Sequence, residues 1–366
     1  FLMGADHPIA WLKEFEGGRS FYTNQGHRPE TWYEADFIRH VIEGIKWAAE
    51  PTAWNRIVLT DAPRNPMSLK VAPDGRVFYV ERTGELMGWS PVTGRTTEVG
   101  AVAVDTVAES GMLALALDPD FASNRALYLY YSEATEAHGH GAAGPKHSED
   151  TGAPGDNVLS RFTLAADGRL DMESRTDVLR VPSERACCHE GADLQFAPDG
   201  ALYLSTGDNT DPFSSDGYAP IDERPGRERF NAQRTAANPF DPRGKILRIN
   251  PDGTVPAGNL FPADGSQGRP EVFVMGTRNP FRIAVDPATG RLYWGDVGPD
   301  AASDSALGPR GYDEINVADR PGNYGWPFCI GANLPYTDRD YATGEQRGPF
   351  SCAGFVPAAL AYDYST

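Results

Sequence analysis

Four segments of the chain share one pattern of hydrophobic and polar residues: an alternating run, a turn rich in Asp, Pro and Gly, and a second alternating run. Alternation with a period of two predicts a β-strand with one face on a hydrophobic core, and the turn residues adopt dihedral angles that β-branched and aromatic residues resist. Each segment is therefore predicted to form a β-hairpin. The segments are residues 69–80, 116–131, 196–204 and 284–294.

A unit that recurs four times indicates a repeat architecture. One interval between successive hairpins is about one blade of 40–50 residues, and the others are roughly twice as long. Small sheets repeated around an axis, as in a β-propeller, explain this spacing better than the alternative, a β-sandwich with coincidental turns. The chain from Trp54 onward has room for about five blades. We therefore expect a mostly β propeller whose ring is incomplete in this chain.

The first part of the chain follows a different pattern. Apolar residues recur at helical spacing between residues 32 and 50, which predicts an α-helix. Gly18–Thr23 is predicted to be a short strand. The sequence thus divides into a short α/β segment, residues 1–52, and a mostly β domain, residues 53–366.

Composition and charge narrow the class of protein. The chain has 366 residues, of which 40% are hydrophobic, so it can bury at least one large core. Its 39 glycines and 30 prolines are typical of many short strands joined by turns. The formal net charge of -18 argues against nucleic acid or an anionic membrane surface as a partner, and a neutral substrate or a bound cation is more consistent with it. No apolar run is long enough to span a membrane.

The two ends of the chain lack the features of natural termini. The chain begins at Phe1 without a basic segment followed by an apolar stretch, so no signal peptide is predicted. It stops at Thr366 without a terminating motif. We expect the sequence to be a piece of a longer protein.

The four cysteines lack the spacing of a zinc site, and two disulfides are the simpler interpretation. A bond between Cys329 and Cys352 would close a loop and stabilise the fold by about 3 kcal/mol. Cys187 and Cys188 are adjacent, so they either form a vicinal disulfide or are two small residues on a buried strand. Disulfides indicate an oxidising compartment, and we therefore predict a secreted or other extracytoplasmic location.

The most informative candidate site is the hairpin that follows this cysteine pair. His189 lies before its first strand, and Asp208 lies beyond the end of its second strand. Two antiparallel strands bring such positions together, so Asp208 can accept a hydrogen bond from the imidazole and orient it. A lone histidine is more often structural, but this pairing predicts that His189 is a general base.

Two further regions carry polar groups suited to a charged ligand. Arg278 and Asn279 lie in a turn before the last hairpin, where a cation and an amide suit an anionic or quinone oxygen. Residues 308–316 and 322–327 supply carboxylates and loop carbonyls, which are the oxygen ligands that a hard cation such as calcium prefers.

Taken together, these segments resemble the pyrroloquinoline quinone (PQQ)-dependent glucose/sorbosone dehydrogenases. The resemblance covers about residues 55–366. Its marks are the His-x-Gly sequence at His189, the Gly-x-Arg-Asn-Pro turn at Arg278, and the series Gly-Pro, Asp-Glu and Asn-Tyr-Gly-Trp-Pro between residues 308 and 327. The resemblance implies a soluble β-propeller of the six-bladed type that oxidises sugars such as aldoses or sorbosone.

The resemblance also implies roles for individual residues. His189 would take the proton from the sugar hydroxyl while a hydride passes to the quinone, and Asp208 would orient His189. Arg278 and Asn279 would contact the quinone oxygens. Glu109 stands where the family often has glutamine near the cofactor, so its negative charge would face an acidic quinone.

Calcium is the second cofactor that the resemblance implies. The carbonyls of Gly308 and Pro309 would hold the calcium that polarises the quinone, and Glu314 and Tyr324 would be ligands of a structural calcium nearby. The implied partners are a sugar substrate and an electron acceptor that the sequence does not identify. Neither nucleic acid nor a membrane span is implied.

Two other features depart from the family pattern. Cys187 and Cys188 replace the more usual polar residues before the histidine. The basic residues that the family's last blades bring to the cofactor carboxylates would lie beyond Thr366, so this fragment is expected to bind PQQ poorly even if the parent protein is an enzyme.

Residues 1–52 resemble the C-terminal end of a ThuA-like (trehalose-utilisation) domain, through residues 6–11 and 22–27. Only the last strand and helix of such an α/β domain are present, so no activity is expected from this segment. His7 and His27 are interpreted as structural.

Two long loops interrupt the repeats. Residues 136–156 contain three histidines that could bind a metal, although a solvated insertion is the preferred interpretation; they are His138, His140 and His147. Residues 209–243 directly follow Asp208, and a long loop in this position is expected to shape the site.

Two other functions share part of this pattern. A lactonase-type hydrolase would use calcium to polarise an ester and His189 to activate water, without a quinone. A non-catalytic propeller that binds carbohydrate would need neither base nor cofactor. Reduction of a dye by sugar, dependent on added quinone and calcium, separates the dehydrogenase from both.

Overall fold

The structure, a computed structural model, describes residues 10–15, 18–23, 35–49, 57–134, 154–185 and 187–363. It contains two compact units, Phe1–Asp61 and Ala62–Thr366. The predictions for His7, His27 and the histidines of residues 136–156 lie outside the described residues.

The first unit contains a hairpin and the predicted helix. Strands β1 (Ala10–Phe15) and β2 (Gly18–Thr23) pair antiparallel, and helix α1 spans Ala35–Ala49. A Cβ atom on Gly44 would lie 2.3 Å from the Phe21 ring, so the helix approaches the strand closely at this glycine. The strand and the helix predicted from the sequence are both confirmed.

The second unit contains four blade-like sheets among the described residues. In each one, four strands pair antiparallel in chain order, except that the outer strand of the last sheet comes from much later in the chain. Blade I contains β3 (Pro66–Val71), β4 (Val77–Glu81), β5 (Glu85–Ser90) and β6 (Arg95–Ala101). Blade II contains β7 (Met112–Leu117), β8 (Ala126–Ser132), β9 (Pro154–Leu164) and β10 (Leu170–Glu184). Blade III contains β11 (Leu194–Phe196), β12 (Leu202–Thr206), β13 (Lys245–Ile249) and β14 (Val272–Met275). Blade IV contains β15 (Pro280–Val285), β16 (Leu292–Asp296), β17 (Tyr312–Ala318) and β23 (Leu360–Asp363).

Shorter elements lie between and beside the blades. Strand β18 (Gly322–Asn323) adds to β14 in parallel. Two small hairpins pair β19 (Cys329–Ile330) with β20 (Leu334–Pro335), and β21 (Thr337–Arg339) with β22 (Gln346–Pro349). Helix α2 spans Phe121–Asn124, and 3₁₀ turns span Glu228–Phe230 and Ala232–Arg234.

Each predicted hairpin forms the first strand pair of a different blade, which confirms a mostly β, propeller-like fold. The described residues form four blades, so the expectation of about five was wrong for this part of the chain. Two insertions account for the difference. Between β12 and β13 the chain makes only 3₁₀ turns and an isolated bridge, and between β18 and β23 it makes only the two small hairpins.

The hydrophobic core lies between consecutive blades. Strand β8 shows the reason, because its side chains alternate: Leu127 and Leu129 pack towards blade I, and Tyr128 and Tyr130 pack towards blade III. All four of these residues are fully buried. A third core joins blades III and IV around Tyr203 and its neighbours. Strands buried on both faces align the blades side by side.

The two insertions share a small core of their own. Ile221 and Ala236 of the first insertion pack with Trp326 and Tyr336 of the second. Cys329 is joined to Cys352, which confirms the predicted disulfide, and Cys187 is joined to Cys188, which decides between the two interpretations of that pair. Within the described residues, no helix is long and apolar enough to cross a membrane.

Candidate active site

The predicted His189–Asp208 pair is formed. His189 Nδ1 lies 2.7 Å from Asp208 Oδ1, and both side chains are buried. Asp208 Oδ1 also accepts a hydrogen bond from the N–H of Thr210 at 3.0 Å, and Asp208 Oδ2 accepts one from Trp326 Nε1 at 2.8 Å. Because a carboxylate only accepts hydrogen bonds, Nδ1 is the ring nitrogen that donates to Asp208, and Nε2 is left on the other side of the ring.

Local backbone geometry explains how His189 reaches this position. Cys188 and His189 both have φ near 61°, in the left-handed region, so the chain turns sharply just before β11. A Cβ atom at Gly207 would lie 1.8 Å from the His189 carbonyl oxygen, so only glycine permits this approach. The N–H of Asn209 donates to the same oxygen at 3.3 Å.

The turn that carries Arg278 and Asn279 contacts both ends of this hairpin. The N–H of Asp208 donates to the Arg278 carbonyl at 2.8 Å. Asn279 Oδ1 accepts the N–H of Gly191, two residues after His189, at 3.1 Å. The structure therefore brings together the four residues that were predicted as the base, its partner and the quinone contacts.

Asp296, at the end of β16, holds this turn. Its Oδ2 accepts the N–H of Arg278 at 3.1 Å, and its Oδ1 accepts the N–H of Asn279 at 2.6 Å. Burial, and next the nearby Glu314 carboxylate, raise the pKa of Asp296 to about 8, while the two N–H donors oppose the rise. Glu314 is the cross-strand partner of Asp296, and burial raises its pKa as well.

A small cavity, partly open to solvent, adjoins the turn. Arg278 lines it, donates from Nη1 to the Val297 carbonyl at 3.0 Å and lies 5.9 Å from the centre of the Trp326 ring. His189 does not line this cavity, but Trp326 does, and Trp326 also binds Asp208, so the indole connects the two features. The lining residues are Arg278, Asp296, Val297, Gly298, Tyr312, Glu314, Tyr324, Trp326, Cys329 and Ile330.

Two of the four residues predicted to hold calcium lie at the cavity, and the other two are not part of its lining. Glu314 and Tyr324 line the cavity, whereas Gly308 and Pro309 do not. The Glu314 carboxylate accepts the N–H of Gly331 at 2.6 Å, and the Tyr324 hydroxyl donates to a main-chain carbonyl. Gly308 packs against the Tyr336 ring instead. The described part of the chain has no cluster of three or more His, Cys, Asp or Glu residues that could hold a metal ion.

Sequence reasoning missed three residues of the site. Gly298 belongs to a second Gly-Pro pair, Gly298-Pro299, and it lines the cavity next to Asp296. Asp296 itself follows a predicted hairpin strand, as Asp208 does, and this parallel was the available signal. Trp326 lies in the Asn-Tyr-Gly-Trp-Pro motif, but no local pattern connects it to Asp208.

Glu190, the residue after His189, is held by hydrogen bonds to its main chain and to its side chain. Glu109 is exposed, and its Oε2 accepts the N–H of Glu190 at 3.3 Å. The Glu190 side chain is buried, and its Oε1 accepts the Ser183 hydroxyl at 2.9 Å. Burial raises the pKa of Glu190, against the effect of Arg185 close by. Glu109 thus contacts the main chain beside the predicted base.

Comparison with known proteins identifies the family. The family model described as "Glucose / Sorbosone dehydrogenase" matches residues 63–356, which is most of the chain. The chain belongs to the glucose/sorbosone dehydrogenase family. A second model, "Trehalose utilisation", matches residues 2–48. Both resemblances noted in the sequence are confirmed.

Several proteins named as sugar dehydrogenases are similar to this chain over more than half of their length. Aldose sugar dehydrogenase YliI of Escherichia coli is 28% identical over 313 residues, which cover 83% of this chain and 71% of that protein. Quinoprotein glucose dehydrogenase B of Acinetobacter calcoaceticus is 27% identical over 291 residues, which cover 77% of this chain and 54% of that protein. The PQQ-bound structure of aldose sugar dehydrogenase from Streptomyces coelicolor is 25% identical, with a TM-score of 0.59, over 84% of this chain and 70% of that one.

Proposed function

We propose that this chain belongs to a PQQ- and calcium-dependent dehydrogenase that oxidises a hydroxyl of an aldose or sorbosone-like sugar. The observation that carries the proposal is the buried His189–Asp208 pair, which lies against the Arg278–Asn279 turn in a member of this family. Relatives named as an aldose sugar dehydrogenase and a quinoprotein glucose dehydrogenase support the sugar and the quinone.

The chemistry assigned to the protein is proton removal and orientation. His189 Nε2 accepts the proton of the sugar hydroxyl, while its Nδ1–H group stays hydrogen-bonded to Asp208. The Trp326 indole and the Thr210 N–H hold the Asp208 carboxylate in place. Bound PQQ supplies a two-electron acceptor for the hydride from the same carbon. The sugar carbon thus loses a hydride and its oxygen a proton, and a carbonyl forms.

Arg278 fits the cofactor best. Its Nε is buried and has no hydrogen-bond partner among the described residues, and its side chain belongs to the residue set that lines the cavity. An anionic or quinone oxygen satisfies such a donor better than a neutral ligand does. Asn279 would add its amide N–H₂ group, since its Oδ1 is used by Gly191.

We propose that calcium binds to the main-chain carbonyls of one of two Gly-Pro pairs. Gly308, Pro309, Glu314 and Tyr324 are the ligands that the family resemblance implies. Gly298-Pro299 supplies the same kind of main-chain carbonyls, and Gly298 lines the cavity with Asp296 and Glu314. A substitution at each pair, followed by calcium titration, decides between them.

The remaining proposals concern the whole protein. We infer that the four blades described belong to a six-bladed ring in the parent protein, with a boundary between the ThuA-like segment, residues 1–52, and the propeller, residues 53–366. The two disulfides support a secreted or other extracytoplasmic location.

The decisive experiment is a titration of PQQ into the calcium-loaded full-length protein, followed by absorbance and then by sugar-driven reduction. His189→Ala should bind PQQ but lose reduction, and His40→Ala, in the N-terminal helix, serves as the matched control. Absence of PQQ binding by the full-length protein would refute the dehydrogenase and leave a hydrolase or a carbohydrate-binding propeller, which ester hydrolysis and sugar binding would distinguish.

A further inference from the structure

The Asp296 carboxylate holds the Arg278–Asn279 turn, and this turn contacts the hairpin of the His189–Asp208 pair. Asp296 accepts the consecutive main-chain N–H groups of Arg278 and Asn279, at 3.1 and 2.6 Å. Both residues are buried, so without Asp296 these donors would lose their partner away from water. Asp296 thereby determines where the turn lies relative to the end of β16.

Two further hydrogen bonds connect this turn to the hairpin that carries His189 and Asp208. The Arg278 carbonyl accepts the N–H of Asp208, and Asn279 Oδ1 accepts the N–H of Gly191. One bond lies at each end of the hairpin whose ends bear His189 and Asp208. A displacement of the turn would therefore move both members of the pair, and also the Arg278 guanidinium, which donates to the residue after Asp296.

We propose that Asp296 is a positioning residue that sets the geometry of the His189–Asp208 pair and of the Arg278–Asn279 turn together. The proposal deepens the proposed function, on which its catalytic part rests. Asp296 contacts neither His189 nor Asp208 directly, and it acts through the four main-chain and amide bonds given above.

The chain offers a matched control in blade I. Glu81 is also buried, and its carboxylate likewise accepts two consecutive main-chain N–H groups, those of Arg64 and Asn65. Asp296→Asn and Glu81→Gln each replace such a carboxylate by its amide and should lower the melting temperature comparably. Only Asp296→Asn should affect the site.

The test measures three quantities for both variants: the melting temperature, the Kd for PQQ, and the imidazole resonances of His189 in histidine-labelled protein. Asp296→Asn is expected to weaken PQQ binding at least tenfold and to shift the His189 Nδ1–H resonance, and Glu81→Gln to change neither. The proposal is overturned if Asp296→Asn leaves both the Kd and the His189 resonance as they are in Glu81→Gln.

The resonance of His189 separates this proposal from the proposed function, because it is measured without PQQ. If the wild-type protein binds no PQQ, the proposed function fails, while a His189 shift confined to Asp296→Asn still supports the positioning role. If Asp296→Asn does not fold, Asp296→Glu keeps the carboxylate one methylene further out. A His189 shift in that variant that is absent from Glu81→Gln supports the role, and an unchanged resonance overturns it.

Discussion

The indole nitrogen of Trp326 donates a hydrogen bond to Asp208 Oδ2 at 2.8 Å, although the two residues are 118 positions apart in the chain. Asp208 is thereby fixed from one side by an insertion of blade IV and from the other by its bond to His189. Arg278 lies over the same indole ring. The carboxylate that orients the proposed base is thus held by residues of several separate segments.

The first prediction concerns this indole. Trp326→Phe keeps an aromatic ring but removes the donor to Asp208, so the carboxylate gains rotational freedom and the His189 ring loses its fixed orientation. We expect kcat/KM for sugar oxidation to fall by about tenfold, the equivalent of one charge-assisted hydrogen bond. Trp294→Phe is the control, because its buried Nε1 has no hydrogen-bond partner in the described part of the chain. Equal losses in both variants would contradict the prediction.

The second prediction concerns the tautomer of His189. In Asp208→Asn the amide can donate to Nδ1, which would move the imidazole hydrogen to Nε2 and remove the lone pair that accepts the substrate proton. We expect kcat/KM to fall by about 10² to 10⁴-fold, with little change in PQQ affinity. Steady-state kinetics and cofactor titration measure the two effects. Asp177→Asn, in a blade II ion pair with Arg175, should leave both quantities unchanged.

The third prediction concerns a buried lysine beneath the first insertion. Lys245 Nζ donates to the carbonyls of Thr235, Ala236 and Arg243 at 2.7 to 2.9 Å. Lys245→Met leaves these carbonyls without that donor, so we expect the free energy of unfolding to fall by about 1–3 kcal/mol. Urea unfolding measures it, and Lys46→Met on the exposed side of helix α1 should change it little.

Lys245 also gives a fourth prediction, on pH. Burial lowers the pKa of Lys245 from 10.5 to about 7, against the effect of Asp241. Between these values the unfolded chain binds a proton that the folded chain releases, so stability rises with pH across this window. The free energy of unfolding of the wild type relative to Lys245→Met should therefore increase from pH 7 to pH 10. A constant difference would show that Lys245 keeps its proton in the fold.

The fifth prediction concerns the disulfides. Cys329 and Cys352 are separated by 23 positions, so their bond restricts the unfolded chain, and replacing both by serine should cost about 3 kcal/mol of unfolding free energy. Cys329 also lines the cavity, so weaker PQQ binding is expected. Serine replacement of Cys187 and Cys188, which are adjacent and close no long loop, should cost less in denaturant unfolding.

Local sequence determined the hairpins, helix α1 and the His189–Asp208 pair. Alternation and turn chemistry act between neighbours in the chain, and the two strands of one hairpin bring together the segments that carry His189 and Asp208. The family motifs added Arg278 and Asn279 by the same local means.

The tertiary structure alone decided the number of blades formed here and which residues surround the pair. Trp326 reaches Asp208 because blades III and IV pack face to face and an insertion folds over them. The same packing lined the cavity with Gly298 rather than Gly308. Such contacts depend on how whole sheets fit together, and no spacing within a single segment records that fit.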